Sequence, residues 1–196
     1  MLIIGITGTL GAGKGTVVEY LKKKYGFAHF SVRDFLKEEV AKRGMPQNRD
    51  SYTTVANDLR AQHSPSYIVD QLYLRAASLQ DPDIKGAVIE SVRTPGEIDS
   101  LQSKGDFQLW AVDADSKIRY QRAVLRNSET DHVTFETFVS NEQREMNSSD
   151  PNKQNLAECI RRAAHVLNND GTLQQLHAQV DALMCYLDNK ILIINH

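Results

Sequence analysis

The chain has 196 residues, 41% hydrophobic and 24% charged, with 23 Lys and Arg against 25 Asp and Glu. A formal charge of -2 excludes a generally basic nucleic-acid binder, so an anionic ligand must be met by a few placed cations. This length fits one α/β domain that needs no disulfide or metal staple, and Cys159 and Cys185 read as reduced thiols.

Leu2-Ile3-Ile4-Gly5-Ile6-Thr7 predicts a central parallel strand covered on both faces; with no basic stretch in front and a glycine within it, it reads as a poor signal peptide and a good buried strand. Glycines at 8, 11, 13 and 15 follow, and a helix runs from Lys14 to about Lys24. Residues 27–30 read as a second strand and 33–42 as a helix ended by Gly44-Met45-Pro46. Residues 51–61 and 66–79 are two amphipathic helices. A third strand spans 86–91, a short helix 95–101, a fourth strand 107–112 and a helix 116–125. Residues 126–152 are polar and read as either a disordered loop or a mobile lid. A helix over 155–163, a fifth strand over 164–167 and a last helix over 172–187 complete the pattern. The apolar Ile191-Leu192-Ile193-Ile194 near the end reads as an edge strand or a segment packing on the domain or a second subunit. Strands alternating with helices imply parallel βαβ units in a doubly wound sheet. No apolar run approaches the ~20 residues that cross a bilayer. The expectation is a cytoplasmic protein, monomeric or homodimeric, with no membrane or nucleic-acid partner.

Gly8-Thr9-Leu10-Gly11-Ala12-Gly13-Lys14-Gly15-Thr16 has the form of a phosphate-binding loop. A triphosphate needs many donors near its oxygens, and glycines let the backbone wrap it with N–H groups pointing inward. The following helix adds its positive end, Lys14 a mobile charge for the β- and γ-phosphates, and Thr16 a hydroxyl. The strict pattern has Ser or Thr directly after the lysine; here Gly15 stands between.

That variant, Gly-x-Gly-Lys-Gly-Thr, resembles the loop of adenylate kinases and related nucleoside monophosphate kinases. The resemblance implies a three-layer P-loop NTPase fold with a five-stranded parallel sheet and a helical lid insertion, using ATP and Mg²⁺. One kinase domain would span 1–188, with acceptor-binding helices at about 33–80, a lid at about 126–152 and a tail at 189–196. Cofactor contacts fall on Gly8, Gly11, Ala12, Gly13, Lys14, Gly15 and Thr16.

On the acceptor side, Ser31-Val32-Arg33-Asp34-Phe35-Leu36-Lys37 is similar to the segment where a Ser/Thr–Asp turn opens a helix in nucleotide kinases. Asp34 keeps two readings. It is a helix cap, or, as in dephospho-coenzyme A kinases, it accepts the proton of an attacking hydroxyl. Lys37 falls where monophosphate kinases hold the acceptor phosphate, and Val32 replaces a polar residue of the adenylate kinases, which argues against AMP. Glu90 ends the third strand as a candidate for holding Mg²⁺ with Thr16. Arg93 can pair bidentately with an acceptor phosphate. Ser91-Val92-Arg93-Thr94-Pro95-Gly96-Glu97 resembles uncharacterised archaeal kinase-like P-loop proteins related to dephospho-coenzyme A kinases.

Arg119, Arg122 and Arg126 share a helix face, either solvated or aimed at a lid that also holds Arg144. By the resemblance, Arg122 packs on adenine and Arg126 touches phosphates. Asn169 and Gly171 match a turn that lies against adenine. The catalytic candidates are thus Lys14, Asp34, Arg93, Arg122 and Arg126, with Asp34, Lys37, Arg93 and Arg144 binding a nucleotide-like acceptor. His63, His132 and His177 read as surface residues and His165 as packing by the fifth strand. A rival class is an ATP-binding sensing module with little turnover; a third is an ATPase-type switch docking a protein through its tail.

Overall fold

The computed structural model describes residues 1–126 and 133–194, the last five by backbone alone. Its strands are β1 (Leu2–Thr7), β2 (Phe27–Ser31), β3 (Gly86–Glu90), β4 (Phe107–Asp113) and β5 (His165–Asn168). They form one sheet in the order β2-β3-β1-β4-β5, and all four pairings are parallel. Parallel neighbours require crossover connections, which the helices α1 (Lys14–Tyr25), α2 (Val32–Lys42), α3 (Arg49–Gln62), α4 (Tyr67–Ala77) and α5 (Pro95–Ser103) help supply. The chain continues through α6 (Ser116–Arg126), α7 (Phe135–Met146), α8 (Leu156–Arg161) and α9 (Leu173–Ile194).

The pleat of β1 divides the interior. Ile4 and Ile6 face one side, packing with Val17 and Leu21 of α1, Trp110 of β4 and Leu176 and Val180 of α9. Ile3 faces the other, with Phe35 and Leu36 of α2, Val55 and Leu59 of α3, Ile68 and Leu72 of α4 and Ile98 of α5. Helices on both faces of a parallel sheet make the three layers expected from the strand–helix alternation. Strand β1 is central because both its neighbours, β3 and β4, are themselves buried strands, which is why it reads as an unbroken apolar run.

Local signals set the helix ends. At α5, Thr94 Oγ1 accepts from Glu97 N–H while Glu97 reaches back to Thr94 N–H, a capping box with Pro95 in the first turn. Asn48 Oδ1 caps α3 through Ser51 N–H at 2.9 Å, and Gly26 closes α1 in the left-handed conformation.

One expectation changes. The segment around Ile191–Ile194 is neither an edge strand nor a separate tail: α9 continues through it to Ile194, because Asp188-Asn189-Lys190 contains no glycine or proline to stop the helix. The polar stretch after α6 contains a full helix, α7, capped by Thr134 Oγ1 accepting from Thr137 N–H. Residues 127–132, part of the expected lid and including His132, lie outside the described residues. Cys159 is buried and Cys185 exposed, and neither is in a disulfide.

An ion pair sits inside the second core. Arg60 of α3 donates through Nη2 to Glu97 Oε1 of α5 at 2.8 Å, with side chains 1% and 0% exposed. Glu97 Oε2 also accepts from the N–H groups of Arg93 and Thr94. Removing one partner strands the other charge out of water. Glu97→Gln is therefore expected to lower the unfolding free energy by about 3–5 kcal/mol, read as a lower denaturant midpoint at unchanged slope; a midpoint near that of the parent chain would contradict this account.

Candidate functional site

The loop between β1 and α1 is held by its neighbours. Gly13 is the residue before α1, at φ 103°, a conformation that L side chains rarely adopt. A β-carbon there would run into Asn169 Nδ2, which donates instead to Ala12 O at 2.8 Å. On the other side a β-carbon at Gly8 would collide with the carbonyl of Val112 in β4. The glycine spacing read from the sequence is thus a close approach of backbone to backbone as well as a route for N–H groups.

Lys14, the first residue of α1, is buried, and its Nζ donates to Gly8 O and Thr9 O, both at 2.9 Å. Burial lowers its pKa to about 7, with Arg93 pushing the same way and Glu90 and Glu145 opposing. Gly15 is exposed, and Thr16 is half-buried in the first turn.

Above this loop, at the carboxyl ends of β1, β2 and β3, lies a cleft of about 180 Å³. Ligands of open α/β sheets bind in this position. Six basic side chains line it (Lys14, Arg33, Arg49, Arg60, Arg93 and Arg126) against the carboxylates Glu90 and Glu145, with Leu36 and Tyr52 on the apolar side. Ser91, at the end of β3, sits at φ 75°, the only non-glycine described in that region. Its N–H and that of Val92 both donate to Ile6 O. That bend carries of order 1–3 kcal/mol of strain and turns the chain after Glu90 so that Arg93 enters the cleft.

Arg93 Nη1 donates to Glu145 Oε2 of α7 at 2.6 Å and to Gln154 Oε1 at 2.8 Å. Arg49 of α3 donates to the other oxygen, Glu145 Oε1, through Nε at 3.1 Å and also through Nη2. Burial would raise the Glu145 pKa, but Arg93 and Arg49 outweigh it and hold the carboxyl below its ordinary value. Glu90 Oε2 pairs with His29 Nε2 of β2 at 3.0 Å.

Not every residue singled out in the sequence reaches the cleft. Asp34 does not line it: its side chain is 63% exposed and pairs with Lys37 Nζ at 3.3 Å. Nor is Asp34 the cap of α2. Ser31 holds that place, its Oγ accepting from Asp34 N–H at 3.1 Å, because the cap lies three residues before the N–H it binds. Lys37 is likewise outside the cleft. Arg144 is exposed and turns to Asn141 Oδ1, so its neighbour Glu145 is the one that faces inward, one residue being about 100° of helix.

The arginine stripe of α6 also divides. Arg119 is buried, donating to Ala114 O at 2.7 Å, to Leu10 O and to Glu142 of α7, so it ties the loop to α6 and α7. Arg122 is half-buried, with Nη1 enclosed and without a hydrogen-bond partner among the described residues. Arg126 lines the cleft. Gly171 sits in the exposed turn that leads from Asn169 into α9. Arg49, Arg60, His29 and Glu145 went unmarked in the sequence; helical phase puts Arg49 and Arg60 eleven residues, or about three turns, apart on one face of α3, a signal available but indistinct among surface arginines.

Among the described residues, no group of three or more His, Cys, Asp or Glu is arranged to hold a metal, and no helix is long and apolar enough to cross a membrane. Any divalent ion here would rest on few protein ligands.

Comparison with known proteins gives a consistent picture. A family model described as an AAA domain matches residues 7–139. A UPF0200 protein of Methanococcus maripaludis is 31% identical over 150 residues, covering 76% of this chain and 80% of that protein. A gluconokinase from Sinorhizobium meliloti superposes with TM-score 0.61 at 14% identity over 100% of this chain and 98% of that one. A shikimate kinase from Bacteroides thetaiotaomicron gives 0.53 at 12% identity over 95% and 98%. At such identities the likeness to solved structures carries the fold alone.

The lowered pKa of Lys14 has a stability consequence. The unfolded chain holds the Lys14 proton up to about pH 10.5, the folded chain only to about pH 7. Between these values the unfolded state binds more protons, so stability rises with pH. The stability difference between the parent chain and Lys14→Met is expected to shift in favour of the parent from pH 7 to pH 10, measured by denaturant titration of both at each pH. A difference that is flat with pH would mean Lys14 keeps its ordinary affinity for the proton.

Proposed function

Because the chain belongs to the AAA domain family and to the UPF0200 proteins, and has the fold of P-loop kinases, we propose that it is an ATP-dependent phosphotransferase acting on a small, nucleotide-like acceptor. The observation that carries this reading is the continuity of the glycine-held loop and Lys14 with a cleft lined by arginines at the strand ends. The backbone of Gly8 to Thr16 and the positive end of α1 would cradle the phosphates of ATP. The Asn169–Gly171 turn and Arg122 would flank its base.

The loop's N–H groups, the half-buried Thr16 hydroxyl and the Glu90 carboxylate that lines the cleft would suit a hydrated Mg²⁺ with few protein ligands. When bound, Mg²⁺ supplies positive charge to the phosphate oxygens. Lys14, Arg93 and Arg126 would neutralise charge on the transferring group. An acceptor oxygen forms a bond to the γ-phosphorus as the bond to the β–γ bridging oxygen breaks, and ADP leaves. Residues 126–152, of which α7 is the described helix, would act as the lid that excludes water, and 33–80 would form the acceptor side.

Asp34, outside the cleft, is poorly placed to act as a base, and Glu90 is engaged by His29. An alcohol acceptor profits from a base, whereas an acceptor phosphate is already ionised. A nucleoside or deoxynucleoside monophosphate other than AMP is therefore favoured over dephospho-coenzyme A. The rival reading, an ATP-binding sensing module with little turnover, makes a different forecast in the same assay.

That assay is ADP release from Mg-ATP across nucleoside and deoxynucleoside monophosphates, dephospho-coenzyme A and gluconate, with Lys14→Ala alongside. Acceptor-dependent turnover that vanishes in the variant is expected; ATP binding with no acceptor stimulation would favour the sensing module. Asp34→Asn is expected to cost less than about tenfold in turnover, against the 10²–10⁴ of a positioned general base. A loss of that larger size at unchanged melting temperature would return Asp34 to the chemistry.

A further inference from the structure

Resting on the kinase reading, we infer that Arg49, Arg60 and Arg93 together form the seat of the acceptor's phosphate group, and that Glu145 fills this seat as an internal counter-ion which the acceptor displaces. Arg49 and Arg60, both carried by α3, are thereby specificity-determining residues.

Three observations converge. Arg60 is 2% exposed and lines the cleft. Its Nε and Nη2 both donate to Glu97 Oε1, whereas Nη1 has no hydrogen-bond partner among the described residues. A buried guanidinium N–H without an acceptor is costly and uncommon, and the residue that carries it lines the cleft. Second, the two oxygens of Glu145 are divided between Arg49 of α3 and Arg93 after β3, so one carboxylate bridges two elements that reach the cleft from different sides. Third, Lys14 lines the same cleft and feels both Arg93 and Glu145, so the seat lies beside the group that would hold the donor phosphates.

Charge selects the ligand class. Glu97 already neutralises Arg60. When Glu145 is withdrawn, Arg49 and Arg93 lose the carboxylate they share, and Arg60 adds an N–H donor without adding net charge. Two positive charges and a third donor match the dianion of a phosphate monoester, with its several acceptor oxygens. A carboxylate carries one charge and would leave one guanidinium uncompensated. Glu145 is itself a single charge, so it is a weaker occupant than the dianion it stands in for. Arg93 and Arg49 hold its carboxyl below the ordinary value despite burial, so Glu145 offsets the charge of both arginines in the absence of acceptor.

The test is calorimetric titration with inorganic phosphate, the ATP loop being first saturated with Mg-ADP so that phosphate does not report on it. Glu145→Gln removes the competing charge at almost unchanged shape and is expected to tighten phosphate binding about tenfold or more. Adding Arg49→Met to Glu145→Gln is expected to reverse that gain. Arg60→Lys keeps a cation against Glu97 but lacks Nη1, and is expected to weaken phosphate binding about tenfold, with thermal melting confirming the fold. Acetate, titrated in parallel, should gain less from Glu145→Gln than phosphate does. Phosphate affinity unchanged in a folded Glu145→Gln variant overturns the inference and makes the Arg49–Glu145–Arg93 bridge a structural tie; acetate binding as tightly as phosphate overturns the dianion class. Tightened phosphate binding with no acceptor-stimulated ADP release would instead sink the kinase reading and leave the anion seat standing. Acceptor-dependent turnover indifferent to Arg49 and Glu145 would do the opposite.

Discussion

The loop between β1 and α1 lies so near its surroundings that its conformation is fixed from three directions. The carbonyl of Val112 in β4 occupies the space beside Gly8, the backbone of Arg119 in α6 the space beside Gly11, and the amide of Asn169 the space beside Gly13. Asn169 and Arg119 then bind the loop carbonyls Ala12 O and Leu10 O. A loop held in one shape is what a phosphate-binding surface built from backbone N–H groups would require. The same enclosure buries Lys14 and brings its ammonium against Gly8 O and Thr9 O. The sheet order follows the same requirement: β1 must be central for β4, β5 and α6 to reach its loop.

Positive charge is then the dominant feature of the space above the loop, and the fold manages it with carboxylates drawn from distant parts of the chain. Glu97 of α5 neutralises Arg60, Glu142 of α7 engages Arg119, and Glu145, one turn further along α7, bridges Arg49 and Arg93. Helix α7 therefore carries two acidic residues at i and i+3, on one face, toward the cleft and the base of the loop. These ion pairs are contacts that a competing anion can weaken, while the same helix also buries Phe138 against Tyr120 of α6.

The fold and the loop were legible in the sequence for one reason. Both depend on short-range patterns: the β-branched run 2–7, the glycine spacing 8–15, and the alternation of strand and helix. The acceptor side was less legible. Asp34 looked like either a cap or a base, but the cap is Ser31, and the Asp34 side chain turns out to Lys37. Arg144 looked like a lid cation, yet Glu145 beside it reaches the cleft, because the side that α7 presents depends on how the helix is docked and not on its composition. Arg119 read as part of a stripe that was either solvated or aimed at a lid, and it is among the most buried charges described. His29, paired to Glu90, had no local mark at all.

The sequence by itself determined most of the elements, the parallel sheet and the phosphate-binding loop, since each rests on contacts between residues close in the chain or on a periodicity that any burial of that segment must obey. The tertiary structure alone decided which charges face one another. The pairs Arg60–Glu97, Arg49–Glu145, Arg93–Glu145 and Arg119–Glu142 join residues from 23 to 96 positions apart. Charged residues are common on every helix of this chain, and the sign of a side chain says nothing of its partner until helix docking fixes direction and distance. The route of the last helix through Ile191 to Ile194 was settled in the opposite way, by the absence of any local residue that would stop it.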